Sequence, residues 1–399
     1  MVPDAGPPFR IYAEYGLAPL THFLNQINQT HKNIFQMIKF IQSKFVLLLI
    51  TFTFLLTGLS ACSDDPVSDI GEEQLTSILV ANEGNFSDGD GSLTSYDPET
   101  GQAVQQRFSQ VNGRPLAAII QAVVETDNRV FIVTNNADKI EVVERESLES
   151  LGTITFDNGV APAGFALADG NKGYVSDLFT NTIHVVDLEN FEVTGTQIEV
   201  GSNPQGMAIS GNRLFVANSG FGSGNTVSVV DTETDMVIEN VQVGAGPIKL
   251  VADDDGMIWV VSGGNRAFDD EFNRDPENDI PGQIDVLDGA TAELITSIET
   301  GGFPRSLAVN TNIGIAWVVN TGAVQQIDIS SFQLAEGNLI DRDFNGIGYS
   351  SAENLLYLAQ SRGFTQSGQA IIYDLQGAAV DSFQVGIAPF DFIFRVEEN

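Results

Sequence analysis

Cysteine occurs once in this 399-residue chain, at Cys62, so no internal disulfide framework is open to it. Histidine is almost as scarce. Beyond Cys62 there is only His184, which excludes metal sites built on His or Cys pairs. A Ser-His-Asp triad would have to use that residue, yet no Gly-x-Ser-x-Gly turn presents a nucleophile. His184 lies in Ile183-His184-Val185-Val186-Asp187 and reads as an ordinary strand residue. Basic charge is thin: Lys139, Lys172 and Lys249 are the lysines after Cys62, beside eleven arginines. With 51 acidic groups in the same stretch the net charge is −37, a field that makes nucleic acid and anionic membrane surfaces poor partners. A surface so acidic and poor in lysine also fits a salt-adapted source. No phosphate-cradling loop appears, because the glycines fall between strands and not before helices. No stretch beyond the N-terminal segment keeps the i, i+3, i+4, i+7 spacing of an amphipathic helix.

What the chain does have is a repeat of about forty-three residues. Each copy opens on a Pro turn and a short apolar stretch, as in Asn203-Pro204-Gln205-Gly206-Met207-Ala208-Ile209. An aromatic-aliphatic strand follows, Leu214-Phe215-Val216-Ala217-Asn218, then a polar loop and an alternating strand, Thr226 to Asp231. A last strand, Met236 to Gly244, leads to the next turn. The turns stand at Pro115, Pro162, Pro204, Pro247, Pro304, the Pro-less Asn345-Gly346, and Pro389, with spacings of 47, 42, 43, 57, 42 and 43. Four short strands at this period predict an all-β fold, a seven-bladed β-propeller. The ends agree. Thr76 to Thr94 lacks a first strand, and Ile387 to Val396 is a first strand with nothing after it. The C-terminal strand is therefore expected to join the N-terminal blade and close the ring, in one domain over residues 75–397.

Ahead of that domain, Lys39 and Lys44 precede an apolar run from Phe45 to Leu56, too short for a comfortable membrane span. Leu59-Ser60-Ala61-Cys62 resembles the lipobox of bacterial lipoproteins, in which the Cys becomes the first residue and carries lipid. Residues 37–61 are read as the signal peptide, and 1–36 as an over-called upstream extension. Residues 62–74 are read as the lipidated Cys62 and an acidic tether. Cys62-Ser63-Asp64-Asp65 resembles the export signal of surface lipoproteins. The implied location is the outer membrane, held by lipid alone and facing the exterior, with the periplasmic face as the alternative.

The strand order puts the loops between second and third strands on one face with the Pro turns. At the loop entrances stands an amide-rich ring of Asn82, Asn135, Asp177, Asn218, Asn320 and Gln360, interrupted by Ser262. Five of the loops carry an aromatic, Phe86, Phe179, Phe221, Phe268 and Phe364, at scattered offsets that favour a ligand over a fixed packing role. Asn85 and the arginines Arg114, Arg266, Arg305 and Arg362 are placed on the same face, able to address carboxylate, phosphate or amide oxygens. Such a surface suits a large, flat, polar-rimmed ligand or a protein. Ser87-Asp88-Gly89-Asp90-Gly91-Ser92 loosely resembles a calcium loop without its terminal Glu, making Asp88 and Asp90 candidates for a structural calcium. The insertion Asn265 to Gly282, rich in acids, is a second such place; a solvated hairpin is the ordinary reading of both.

Ile132-Val133-Thr134-Asn135 and its cousins resemble the YVTN signature of YncE-like seven-bladed propellers. Asn82-Glu83-Gly84-Asn85-Phe86, Tyr96-Asp97-Pro98-Glu99-Thr100-Gly101 and Asn112-Gly113-Arg114-Pro115 resemble a group of surface lipoproteins. That group includes cobalamin-capturing propellers, which partner TonB-dependent outer-membrane transporters. The resemblance implies a non-enzymatic protein without a cofactor that binds a nutrient, cobalamin or another corrinoid, and passes it to a transporter. Two other classes stay open. One is a scaffold docking proteins or polysaccharide; the other is a propeller enzyme of lactonase or quinone-dehydrogenase kind, which the single His disfavours.

Overall fold

The computed structural model describes residues 73–157, 159–168 and 170–398. The expected extension, signal peptide and Cys62 lie outside the described residues, as does the tether up to residue 72. Among the described residues no helix is long and apolar enough to cross a membrane.

Seven four-stranded antiparallel sheets make up the structure. Six follow chain order, from Ile120–Glu125 through Ser150–Thr155 in the second blade to Gly346–Ser350 through Ala379–Ile387 in the seventh. The first blade is composite. Pro389–Glu398 pairs with Glu73–Asn82, and Ser92–Asp97 and Gln102–Val104 follow outward. The predicted closure is thus the observed one, although the first strand starts at Glu73, inside the stretch read as tether. First strands of successive blades pack on one another around the whole circle, so they line the axis. Closure leaves no open inner edge for another chain to extend.

Second strands carry the core. In the fifth blade Ile258, Trp259, Val260 and Val261 are all fully buried, because both faces of a blade pack on its neighbours. Fourth strands are the exposed edges; Met236–Gln242 shows mostly solvated side chains. Glycine sets how closely first strands approach. A Cβ on Gly164 would run into the carbonyl oxygen of Gln205, and one on Gly346 into that of Phe390. One feature departs from the all-strand expectation: Arg107–Asn112 forms a short helix beyond the first blade and buries Phe108.

Candidate functional site

First strands enter the ring through β-bulges in five blades. A bulge adds one residue against the partner strand and re-aims the side chains beside it. Gln121, Gly164, Gln205, Ile248 and Phe390 stand at these irregularities, and all five line an axial cavity of about 470 Å³. Glu83, Leu178 and Arg305 line it toward the loop face, and Lys249 and Asp391 add charge from opposite blades. A shallower depression of about 290 Å³ adjoins it, sharing Gln205, Ile248 and Arg305 and rimmed by Phe221, Arg266 and Phe303.

The cavity's charges are unequally partnered. Lys249 Nζ lies 3.3 Å from Asp391 Oδ1 and donates to Ser306 Oγ at 3.3 Å. Arg305 Nη1 is 3.1 Å from Asp343 Oδ2 and also donates to the carbonyl of Phe344. Glu83 receives one hydrogen bond, from Gln121 Nε2 at 3.2 Å. Burial pushes its carboxyl above the usual Glu range, and the Gln121 contact pulls weakly the other way.

All five loop aromatics expected at the ligand face are exposed there, with Phe86 at 65%, Phe179 at 63%, Phe221 at 61%, Phe364 at 57% and Phe268 at 55%. Phe179 and Phe221 approach to 6.2 Å between ring centroids. The loops brace one another: Asn85 Nδ2 donates to the carbonyl of Phe364 and Asn136 Nδ2 to that of Phe86. Phe221 sits in the left-handed region at φ 51°, unusual for a bulky side chain.

The amide ring takes another position from the one expected. Asn82, Asp177, Asn218 and Asn320 are buried with almost no exposure, and Asn135 is buried as well. Asn82 Nδ2 donates to Ser92 O and Thr94 Oγ1, Asn218 Nδ2 to Thr226 Oγ1 and Ser228 Oγ. Asn135 Nδ2 reaches Pro162 O in the next blade, and Asn320 Nδ2 reaches Thr300 O. Glycines Gly201, Gly302 and Gly386 lie directly against Asn218, Asn320 and Asn82, closing off the approach from outside. These buried amides fasten strands together through their Nδ2 groups; Gln360, half-buried, accepts from Arg342.

Asp177 is the centre of a small network. It accepts from the backbone N–H of Ala161 and Phe179 and from Thr180 Oγ1, and His184 Nε2 stands 3.5 Å away. Burial alone would push its carboxyl up, but the nearby His184 ring and the hydrogen bonds from Thr180, Ala161 and Phe179 together hold it down at about 2.

The four arginines divide. Arg114 is turned away from the expected surface, its Nη2 2.5 Å from buried Glu141 and its guanidinium over the Phe108 ring. Arg305 reaches the cavity. Arg266 lies over Phe303, 4.5 Å from the ring centroid, on the rim of the depression, and Arg362 donates to Gln369. Of the calcium candidates, Asp90 Oδ1 accepts from the Asn85 N–H at 2.5 Å, which ties up its loop internally. In the insertion Asp269 caps its own turn and Asp279 pairs with Arg274. Among the described residues no three His, Cys, Asp or Glu side chains group to hold a metal. Glu83, Gln121, Gln205, Lys249 and Asp391 were not among the residues that sequence reasoning singled out.

Residues 76–268 match the model of a domain of unknown function, DUF5074. The seven-bladed beta-propeller protein Rv1057 of Mycobacterium tuberculosis is 28% identical over 141 residues, 34% of this chain and 35% of that protein. The chain thus spans about a third of the length of that curated relative. Among solved structures, a quinonprotein alcohol dehydrogenase-like protein from Bacteroides thetaiotaomicron superposes with a TM-score of 0.61 at 14% identity, covering 78% of each chain. Kuenenia stuttgartiensis hydrazine synthase gives 0.51 at 20%, covering 63% of this chain and 78% of the other. The Pan2 WD40 domain of Neurospora crassa gives 0.53 at 13%, covering 74% and 88%. At these identities the likeness is one of fold, and the fold is the β-propeller.

Proposed function

We propose that this chain is a non-enzymatic binding protein that captures a small nutrient on its loop face. The reading includes lipid anchoring at Cys62 on the outer membrane, exterior-facing, and delivery of the ligand to a TonB-dependent transporter. The observation that carries it is the axial cavity of about 470 Å³ set among loops that expose Phe86, Phe179, Phe221, Phe268 and Phe364. Exposed aromatics beside a mixed polar and apolar hollow are what a ligand with one flat apolar side and a polar end requires. A corrinoid, the ligand implied by the resemblance at Asn82 to Phe86, would rest its ring on the aromatics, with only a peripheral group entering the cavity. The test is a calorimetric titration of cyanocobalamin. Saturable binding that weakens when Phe86, Phe221 and Phe364 become Ala supports corrinoid capture; absence of heat removes the corrinoid.

The second reading is a scaffold for a protein or polysaccharide. It is favoured by the insertion, where Phe272 is 88% exposed at φ 62° and lines neither the axial cavity nor the adjoining depression. A transporter pull-down that succeeds with the cavity blocked would favour it.

A further inference from the structure

The charges around the axial cavity are neutralised in pairs, with one exception. Lys249 faces Asp391 and Arg305 faces Asp343, so an anionic ligand would have to displace a carboxylate from either cation. Glu83 has no such partner: among the described residues no cationic side chain lies within 4 Å of it, and its contact is the neutral amide of Gln121. A half-buried carboxylate without a counter-ion is held at a cost that a bound cation would remove. Three residues along the same loop, Phe86 presents an exposed ring on a backbone tied by the Asn136 bond to its carbonyl. Aromatic faces attract organic cations. The net charge of −37 beyond residue 61 raises the local concentration of cations over anions at every opening of the surface.

We infer that the axial cavity receives the ammonium group of a small organic cation, with Glu83 as its counter-ion and Phe86 against its apolar part. The inference rests on the reading of this cavity as a ligand site and not on a corrinoid as its occupant, since a corrinoid carries no ammonium group. Gln121 holds the Glu83 carboxylate in place, and Asp391, on the same blade as Glu83, neutralises Lys249 across the cavity.

Three probes of similar shape, benzylammonium, benzyl alcohol and benzoate, separate the possibilities when titrated by ligand-detected NMR into the full-length protein in detergent. Benzylammonium is expected to bind at least about tenfold more tightly than either of the others. Glu83→Gln should erase that preference without lowering the melting temperature, since it removes an unpaired half-buried charge. Should Glu83→Gln fold poorly, Asp391→Asn provides the second check: freeing Lys249 adds an unpaired cation, so benzylammonium should weaken and benzoate strengthen. Equal binding of all three probes, or a preference for benzoate in the unaltered protein, overturns the inference and leaves the cavity a ligand site. Silence of all three with cyanocobalamin binding intact overturns it as well. Silence of the probes and of cyanocobalamin together brings down both this inference and the capture reading.

Discussion

Arg395 places Nε and Nη2 on a single oxygen of Glu125, at 2.8 and 2.7 Å, and so joins the chain's last strand to the first strand of the second blade. Glu125 holds Arg145 on its other oxygen at 2.8 Å, which makes it the hub of a three-residue network. The closing blade is assembled from both ends of the propeller, so nothing covalent keeps Pro389–Glu398 on Glu73–Asn82. The backbone ladder does, with Thr76 Oγ1 donating to the Arg395 carbonyl, while the ion pair ties the same strand to the second blade.

Replacing Arg395 by Ala leaves Glu125 with Arg145 alone and removes a buried guanidinium from the ring's seam. A buried pair broken on one side costs about 3–5 kcal/mol; with Arg145 still present we expect about 2–3 kcal/mol. Urea unfolding reads the loss. Hydrogen exchange should show it concentrated in Glu73–Asn82 and Pro389–Glu398, ahead of the other blades. A uniform loss across all seven blades would mean that the seam is not where this ring opens.

Acid should weaken the protein through Asp177. Its folded pKa, about 2, lies below the ordinary Asp value, so the folded state binds the proton less readily than the unfolded chain. The stabilisation is complete above about pH 4 and is lost as pH falls toward 2, amounting to about 2 kcal/mol. Asp177→Asn should therefore lower stability at pH 7 by about that amount and flatten the decline between pH 4 and 2. Denaturation at pH 7, 4 and 2.5 measures both effects. Parallel curves for the two proteins would assign the acid sensitivity elsewhere.

Much of this architecture is legible from the residues. The alternation of Pro turn, apolar strand and Asn-ended loop fixes the blade, and the unmatched ends at Thr76 and Val396 fix the closure. The cavity is not legible, for a geometric reason. Side chains in a strand alternate strictly, but each bulge at Gln121, Gln205 or Ile248 resets the alternation, and sequence does not announce the reset. The amide ring shows a different limit. Asn82 and Asn218 stand at the expected loop entrances but are buried with their Nδ2 groups pinning hairpins, because an amide that can address a ligand is equally able to pin a hairpin. Exposure separates the aromatics from the amides, and it depends on close approaches between distant segments, such as Gly201 against Asn218, that no local sequence pattern announces.

That division can be tested directly. Asn218→Ala removes donors to Thr226 and Ser228 inside the fold, and loss of such buried bonds costs about 1–3 kcal/mol. Ligand affinity should stay within about twofold, since the side chain is sealed behind Gly201. Phe86→Ala should do the reverse, leaving unfolding within about 0.5 kcal/mol while weakening whatever binds at the loop face. The pair of melting curves and titrations checks both. Affinity lost with Asn218→Ala at unchanged stability would return the amide ring to the binding surface.

Phe221 offers a sharper version of the same contrast. Its backbone is left-handed, φ 51° and ψ 40°, a conformation that costs a bulky residue about 1–2 kcal/mol. Nothing in the core repays that cost, because the ring is mostly in solvent and meets Phe179 at 6.2 Å. Phe191 and Phe332 share this backbone conformation and pack against the core, so it is the exposure of the Phe221 ring that sets it apart. Phe221→Gly removes the strain, and after the entropy that glycine adds to the unfolded chain it should stabilise the protein by about 0.5–1 kcal/mol. The same variant should weaken ligand binding by about tenfold, the signature of a residue kept for function at the expense of stability. Thermal unfolding and titration of one sample give both numbers. A variant that becomes less stable would show that the Phe221 ring supports its loop, and binding left unchanged would remove it from the ligand's path.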